Sequence, residues 1–150
     1  MVRVQASILI SRPIETVFPF VATDFFRNYP RWSPEVQELR ATTPGPIRVG
    51  TGGRQVRIDH GRRTESTFRV SRLEDPRRIA FQGVSSPYRI DYQLDPEDQR
   101  TRLTLTFELT RLELFMLPFE RLIRRSAQES AERMVRNLKV LVEADAPPAT

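Results

Sequence analysis

Two hydrophobic periods divide this chain, one of about two residues and one of about 3.6. At the start, Val2, Val4, Ala6, Ile8 and Ile10 alternate with Arg3, Gln5, Ser7 and Leu9, which predicts a strand with one apolar face. Near the end, Leu122, Ile123, Ala127, Met134, Leu138, Leu141 and Val142 recur at spacings of three and four, and neither Gly nor Pro interrupts them before Pro147. Glu120–Arg124, Glu129–Arg133 and Glu132–Arg136 set an acid four residues ahead of a base, the favourable order on a helix. A long amphipathic helix is therefore predicted from Leu117 to Ala144, with Pro118 in its first turn. At 1.5 Å per residue, about 25 residues span roughly 37 Å. So long a helix with one apolar stripe needs a partner surface, and almost everything before it reads as strand.

Ser11-Arg12-Pro13 stops the first strand and opens a helix, with Ser11 or Arg12 as cap and Ile14, Val17, Phe18 and Val21 on its buried side. Pro19 removes a helical bond there, so a short or kinked helix is expected. Thr23 or Asp24 caps a second short helix, Phe25 to Tyr29, which Pro30 closes. Strands follow over 36–42, 54–59, 64–73, 78–84, 88–94 and 101–110, separated by Pro44-Gly45-Pro46, His60-Gly61-Arg62-Arg63, Glu74-Asp75-Pro76-Arg77, Ser85-Ser86-Pro87 and Asp95-Pro96-Glu97-Asp98. Short turns imply antiparallel pairing. The predicted class is α+β: a seven-stranded antiparallel sheet wrapped around the C-terminal helix, with two short helices between strands 1 and 2. One domain is expected over 1–145, followed by a disordered tail over 146–150.

Composition narrows the chemistry. The absence of Cys excludes disulfides and thiolate metal sites. The net charge of +5 comes from Arg scattered over strand faces, turns and helix surface, with Lys139 the only lysine. Without a basic run or an aromatic-rich RNA-binding motif, nucleic acid is not an expected partner. No charged region precedes an apolar core and cleavage site, and no run approaches 20 apolar residues, so integral membrane association is not expected and a cytoplasmic protein is.

Three segments carry a family likeness: Ile10-Ser11-Arg12-Pro13-Ile14-Glu15-Thr16-Val17-Phe18, Tyr29-Pro30-Arg31-Trp32-Ser33-Pro34, and the helix end Leu138-Lys139-Val140-Leu141-Val142-Glu143. Together with the element order they resemble the Bet v 1-like or START-like (SRPBCC) superfamily, and within it proteins of the polyketide cyclase/dehydrase type; Pro19 departs from the usual helix. The resemblance implies a helix-grip fold with a cavity between sheet and helix for an apolar or amphipathic small molecule. It does not imply a reaction, because carriers, aromatase/cyclases and protein-recognition domains share the fold.

Strand parity places Val56, Ile58, Phe68, Val70, Ile79, Phe81, Tyr88, Ile90, Tyr92, Leu103, Leu105, Phe107 and Leu109 on the inner face. Such a list suits either a greasy pocket or a packed core. The expected ligand-lining residues are Trp32, Arg54, Phe68, Phe81, Tyr88, Tyr92, Leu105, Phe107, Ser126 and Ser130. Tyr88 and Tyr92 offer hydroxyls to orient a carbonyl or phenol. Arg54 shares parity with Val56 and is expected near the pocket. Ser126 and Ser130 sit near the inner side of the helix. His60, the only histidine, falls in a turn before Gly61 and is expected to be exposed. No nucleophile–base set and no metal-ligand cluster is visible, and no cofactor is expected. Residues 112–119 are apolar on nearly every side and read as end-packing, a pocket mouth, a homodimer contact or a membrane-facing patch, with Phe25, Phe26, Tyr29 and Trp32 facing them. Three functions stay open: binding of an apolar or aromatic small molecule, cyclase/aromatase catalysis on a polyketide-like substrate, and docking of a protein partner.

Overall fold

The alternating segments pair into one seven-stranded antiparallel sheet in the computed structural model, which describes residues 1–146. Its strands are β1 (Val2–Ile10), β2 (Val36–Ala41), β3 (Gly52–Asp59), β4 (Arg62–Glu74), β5 (Arg78–Gly83), β6 (Tyr88–Glu97) and β7 (Arg100–Leu109). Spatial order is β1-β7-β6-β5-β4-β3-β2, so the chain's first strand closes beside its last. His60 and Gly61 form the two-residue turn between β3 and β4; both have positive φ, as a type I′ hairpin requires, and His60 is exposed. The β6–β7 turn falls later than Asp95–Asp98: Glu97 pairs with Arg100, leaving Asp98 and Gln99 as the turn. Pro96 can stay in the strand because β5 pairs only as far as Gln93, leaving that side of β6 open.

Pro19 alters its helix as expected. Helix α1 (Ile14–Phe18) widens into a π turn over Pro19–Thr23, where the Asp24 N–H reaches the Pro19 carbonyl at 2.8 Å, five residues back. Pro13 occupies the N-cap position of α1 without a side-chain bond, so neither Ser11 nor Arg12 caps it. Arg12 serves the other end of the molecule: its guanidinium donates to the carbonyls of Glu143 (2.6 Å) and Ala146 (2.8 Å), capping the last turn of the long helix. Ala146, expected in the tail, is thereby held; residues 147–150 lie outside the described residues. Helix α2 (Phe25–Trp32) runs through Pro30 rather than stopping at Tyr29. The further residues carry Trp32 onto the face already formed by Phe25 and Tyr29, at spacings of four and three.

The long helix α3 (Glu120–Asp145) starts three residues later than the periodicity predicts, and a 3-10 segment, Leu114–Phe119, contains Pro118. Packing of α3 is mainly against β1, with smaller contacts to β7 and α2. Its buried residues, Ala131, Met134, Val135, Leu138 and Val142, all lie from Ala131 onward, and Leu122 is exposed rather than part of the inner stripe. Polar bonds fix its height on β1: Arg124 donates to the carbonyls of Met1 and Arg3, Gln128 to that of Gln5, and Lys139 to that of Leu9. The result is an α+β helix-grip arrangement, a curved sheet holding one long helix, in which α2 rather than α3 covers the sheet centre.

Candidate ligand-binding site

The sheet's inner face is built in cross-strand rows. One row runs Val2, Leu109, Tyr88 across β1, β7 and β6; the next runs Val4, Phe107, Ile90, Phe81, Val70 from β1 to β4. A third row contains Ala6, Leu105, Tyr92 and Ile79, all buried. Above the second and third rows, α2 drives in aromatic rings. Phe25 stacks on Phe81 at 4.2 Å and on Tyr29 at 4.8 Å, and meets Trp32 and Phe68 edge-on at 6.0 and 6.2 Å. Trp32 closes the cluster by donating its indole N–H to the Tyr92 hydroxyl at 3.3 Å. The deeper part of the expected cavity is therefore filled by rings.

The row containing Tyr88 and Leu109 and the β6–β7 part of the next are less covered. Tyr88, Ile90, Phe107 and Leu109 are only half-buried, and the Tyr88 and Phe107 rings stack at 6.4 Å. Arg124 bonds the carbonyls of Met1 and Arg3, which flank Val2, so the first half of α3 lies level with these rows. Ile123, Ser126, Ala127 and Ser130, on that half, are also half-buried. Two incompletely covered surfaces, mainly apolar, thus share one end of the fold.

Polar side chains enter the inner face from β3, and its parity is the reverse of the sequence expectation. Gly53 pairs with Phe68 and lies beneath its ring, so Gly53, Gln55 and Arg57 point inward. Arg54 turns outward and pairs with Glu65 at 2.9 Å, while Ile58 is exposed. Val56 is buried, yet lies outside the main core, among outward-facing neighbours. Apolar residues misdirected the sequence reading here, because on this strand the polar set faces in. Arg57 donates to the Tyr29 hydroxyl at 2.7 Å, to Ser33 Oγ at 3.2 Å and to both Asp59 oxygens at 3.0 and 3.1 Å. Burial works against its charge, but Tyr29, Asp59 and Glu35 outweigh that and hold its pKa above the ordinary range. Gln55 donates its amide N–H to the Tyr88 hydroxyl at 3.3 Å, and its own Oε1 is buried without a partner.

All three tyrosines are held as neutral phenols. Burial raises the pKa of Tyr29 against the opposing pull of Arg57; it also raises those of Tyr88 and Tyr92, helped in both by the neighbouring Tyr29. A neutral phenol can donate a hydrogen bond to a ligand oxygen but cannot act as a base near neutral pH. The Tyr92 hydroxyl is sealed in the core, whereas Tyr88 sits at the half-covered end.

Trp32, Phe68, Phe81 and Tyr92 come together in the buried ring cluster, with Leu105 as the cross-strand partner of Tyr92. Tyr88 and Phe107 form the stacked pair at the open end; Ser126 and Ser130 lie on the half of α3 level with it; Arg54 stands apart on the outer surface. Tyr29, Ser33, Gln55 and Arg57 form a polar group that the sequence reading did not assemble. Gln55 and Arg57 alternate with Val56 and Ile58, so hydropathy placed them on the outer face. Of the rings expected to face 112–119, Phe25, Tyr29 and Trp32 are buried in the core, and only Phe26 is half-exposed.

Comparison with known proteins agrees with this architecture. The family model described as polyketide cyclase/dehydrase and lipid transport matches residues 1–143. Among solved structures, TTHA0849 from Thermus thermophilus is similar with a TM-score of 0.77 at 21% identity, covering 97% of this chain and 99% of that one. The Zhui aromatase/cyclase from Streptomyces sp. R1128 has a TM-score of 0.77 at 15% identity, covering 94% and 93%. A START superfamily protein from Mycobacterium smegmatis has a TM-score of 0.73 at 17% identity, covering 96% and 99%. A search of curated proteins gave no match.

Proposed function

Because this chain belongs to the polyketide cyclase/dehydrase and lipid-transport family, whose fold is one that binds hydrophobic ligands, we propose that it binds an apolar or aromatic small molecule, lipid- or polyketide-like, between β6–β7 and the first half of α3. The observation that carries this reading is the half-covered set Tyr88, Ile90, Phe107 and Leu109, level with Ile123 and Ala127, in a fold whose other inner rows are closed. Apolar surface left half-covered on both sides is worth about 25 cal/mol per Å² to any molecule that covers it. Tyr88 supplies a polar handle, since Gln55 donates to its oxygen and leaves the phenol hydrogen for a ligand acceptor. Native mass spectrometry of freshly purified protein, followed by solvent extraction, tests the reading. A retained apolar molecule is expected. A bare mass, together with no fluorescence gain from 1-N-phenylnaphthylamine, would overturn it.

A second reading, cyclase or aromatase catalysis, is favoured by the same Tyr88. A neutral phenol beside an apolar surface can polarise a ligand carbonyl, and holding a flexible chain in a reactive fold can itself lower a barrier by several kcal/mol. Tyr88→Phe separates the two. For a binder it weakens affinity for carbonyl-bearing ligands; for an enzyme it lowers turnover of a polyketide-like substrate more than it lowers binding.

A further inference from the structure

The segment joining β7 to α3 is the least covered apolar part of the described molecule. Leu114, Phe115, Leu117, Phe119 and Leu122 are 85, 72, 48, 57 and 64% exposed. They make up half of the ten exposed large hydrophobic residues, and all fall within nine positions. Met1, whose carbonyl Arg124 holds, is exposed at the same end. Scattered single residues of this kind are ordinary on a surface; a continuous patch is not. At about 200 Å² for each fully exposed side chain, these five present on the order of 600 Å², the upper end of the largest patch on an ordinary monomer. Leu112 is half-buried against the core and anchors the start of the segment, and Met116 is half-buried, while the rest is held out.

Charge says what covers it. Between residues 111 and 125 stand Arg111, Arg121, Arg124 and Arg125 against Glu113 and Glu120, four positive charges to two negative. Arg3, Arg121, Arg124 and Arg125 line one open groove of about 490 Å³ between β1 and α3, with Val4, Gln128 and Glu129. Arg3 is paired to Glu108 and Arg124 to Glu120, and Arg125 meets Glu129 only at 4.0 Å. Arg121 pairs with no acid among the described residues. Apolar side chains bordered by unbalanced arginines match an anionic bilayer surface, where acyl chains lie just below phosphate groups. A second copy fits less well, because a two-fold contact through the patch brings its own basic border against itself.

We propose that Leu114–Leu122 is a peripheral docking surface for an anionic lipid bilayer, with Phe115 and Phe119 entering the interface and Arg121 and Arg125 meeting lipid phosphates. This stands apart from what the cleft binds, since it is read on vesicles alone. Docking there turns the half-covered end of β6–β7 toward the membrane.

Cosedimentation of the full chain with vesicles provides the test. Binding to phosphatidylcholine vesicles containing one third phosphatidylglycerol is expected to exceed binding to pure phosphatidylcholine about tenfold or more, and to fall with added salt. F115S/F119S is expected to lose at least about tenfold in binding to the anionic vesicles. R121Q/R125Q is expected to lose the anionic preference, whereas R62Q/R63Q, which removes the same charge at the β3–β4 hairpin, three strands along the sheet from β7, leaves it unchanged. All six side chains are exposed, so these variants keep the fold, which an unchanged thermal midpoint verifies. Equal loss from R62Q/R63Q would show attraction by net charge alone and overturn the assignment. A dimer in sedimentation velocity that F115S/F119S dissociates, with no vesicle binding, would hand the surface to a second copy.

Discussion

Replacing Arg57 by Met keeps the aliphatic stem but removes the charge that joins β3 to α2. The guanidinium holds the hydroxyls of Tyr29 and Ser33, both buried, and a bidentate contact to Asp59. Its side chain is 19% exposed, and that of Asp59 is 43% exposed. Water can therefore take over at Asp59, and little stability is lost there. Tyr29 has no such recourse, and a buried hydroxyl deprived of a charged donor costs about 1.5–3 kcal/mol. Ser33 keeps a 3.3 Å contact with Glu35 and adds less. The expected destabilisation is about 2–4 kcal/mol. Tyr29→Phe alone should cost about 1–2 kcal/mol, and in the Arg57→Met background almost nothing, because the orphaned hydroxyl is gone. The resulting coupling energy is about 1–2 kcal/mol. Urea unfolding reads this directly through Trp32, the only tryptophan, which is fully buried. With a slope of about 2 kcal/mol per molar, the Arg57→Met midpoint falls by roughly 1–2 M. Arg54→Met, three residues away on the opposite face, is the control and should move by less than about 0.5 kcal/mol. Equal effects at 54 and 57, or a coupling near zero, would refute the inward assignment of Arg57.

Gly53→Ala should destabilise by about 1–3 kcal/mol, since a new Cβ would lie 2.3 Å from the Phe68 ring; Phe68→Leu should recover part of this in the double variant, measured by the same urea midpoints. Spectrophotometric titration of the folded protein should show no phenolate near pH 10, because burial raises all three tyrosines. Unfolded tyrosines ionise at about 10, so the free protein loses stability as pH rises above that value, where the unfolded chain gives up protons that the folded one keeps; phenolate absorbance and loss of fold should appear together. Glu143 is the acid-side counterpart. Burial opposes its charge, but Lys139, the Ser11 N–H and Arg12 lower its pKa below the ordinary 4.5. Its contribution is present above 4.5 and lost as pH falls through the lowered value, so Glu143→Gln should flatten the acid limb of a thermal-midpoint profile.

Much of the architecture is legible because burial on one face writes a period into the chain. The strict alternation of β1 and of Leu103, Leu105, Phe107 and Leu109 in β7 predicts both strands and their inner faces. The four-residue spacing of Met134, Leu138 and Val142 predicts the buried part of α3. Pro19 announces an irregular helix because a missing N–H acts within one turn. Segment boundaries shift by a few residues, as at Pro30, Pro96 and Pro118, where the neighbouring strand or the helix end decides whether the lost bond matters.

On β3 the local signal pointed the wrong way. Val56 and Ile58 look like an inner face, and a strand reversed by one residue exposes its whole opposite set. What makes Gln55 and Arg57 tolerable inside is that Tyr88 meets the first, while Tyr29 and Ser33, more than twenty positions earlier, bring hydroxyls to the second. The sequence by itself determined the order of elements, the α+β class and the supply of inward rings, because these follow from periodicity along a continuous stretch. Only the tertiary structure decided that α2 fills the deeper interior, that β3 turns its polar side inward, and that apolar surface stays half-covered at the first half of α3. Those outcomes depend on which distant side chains meet, and burial of a polar group is settled by its partner rather than by its neighbours in sequence.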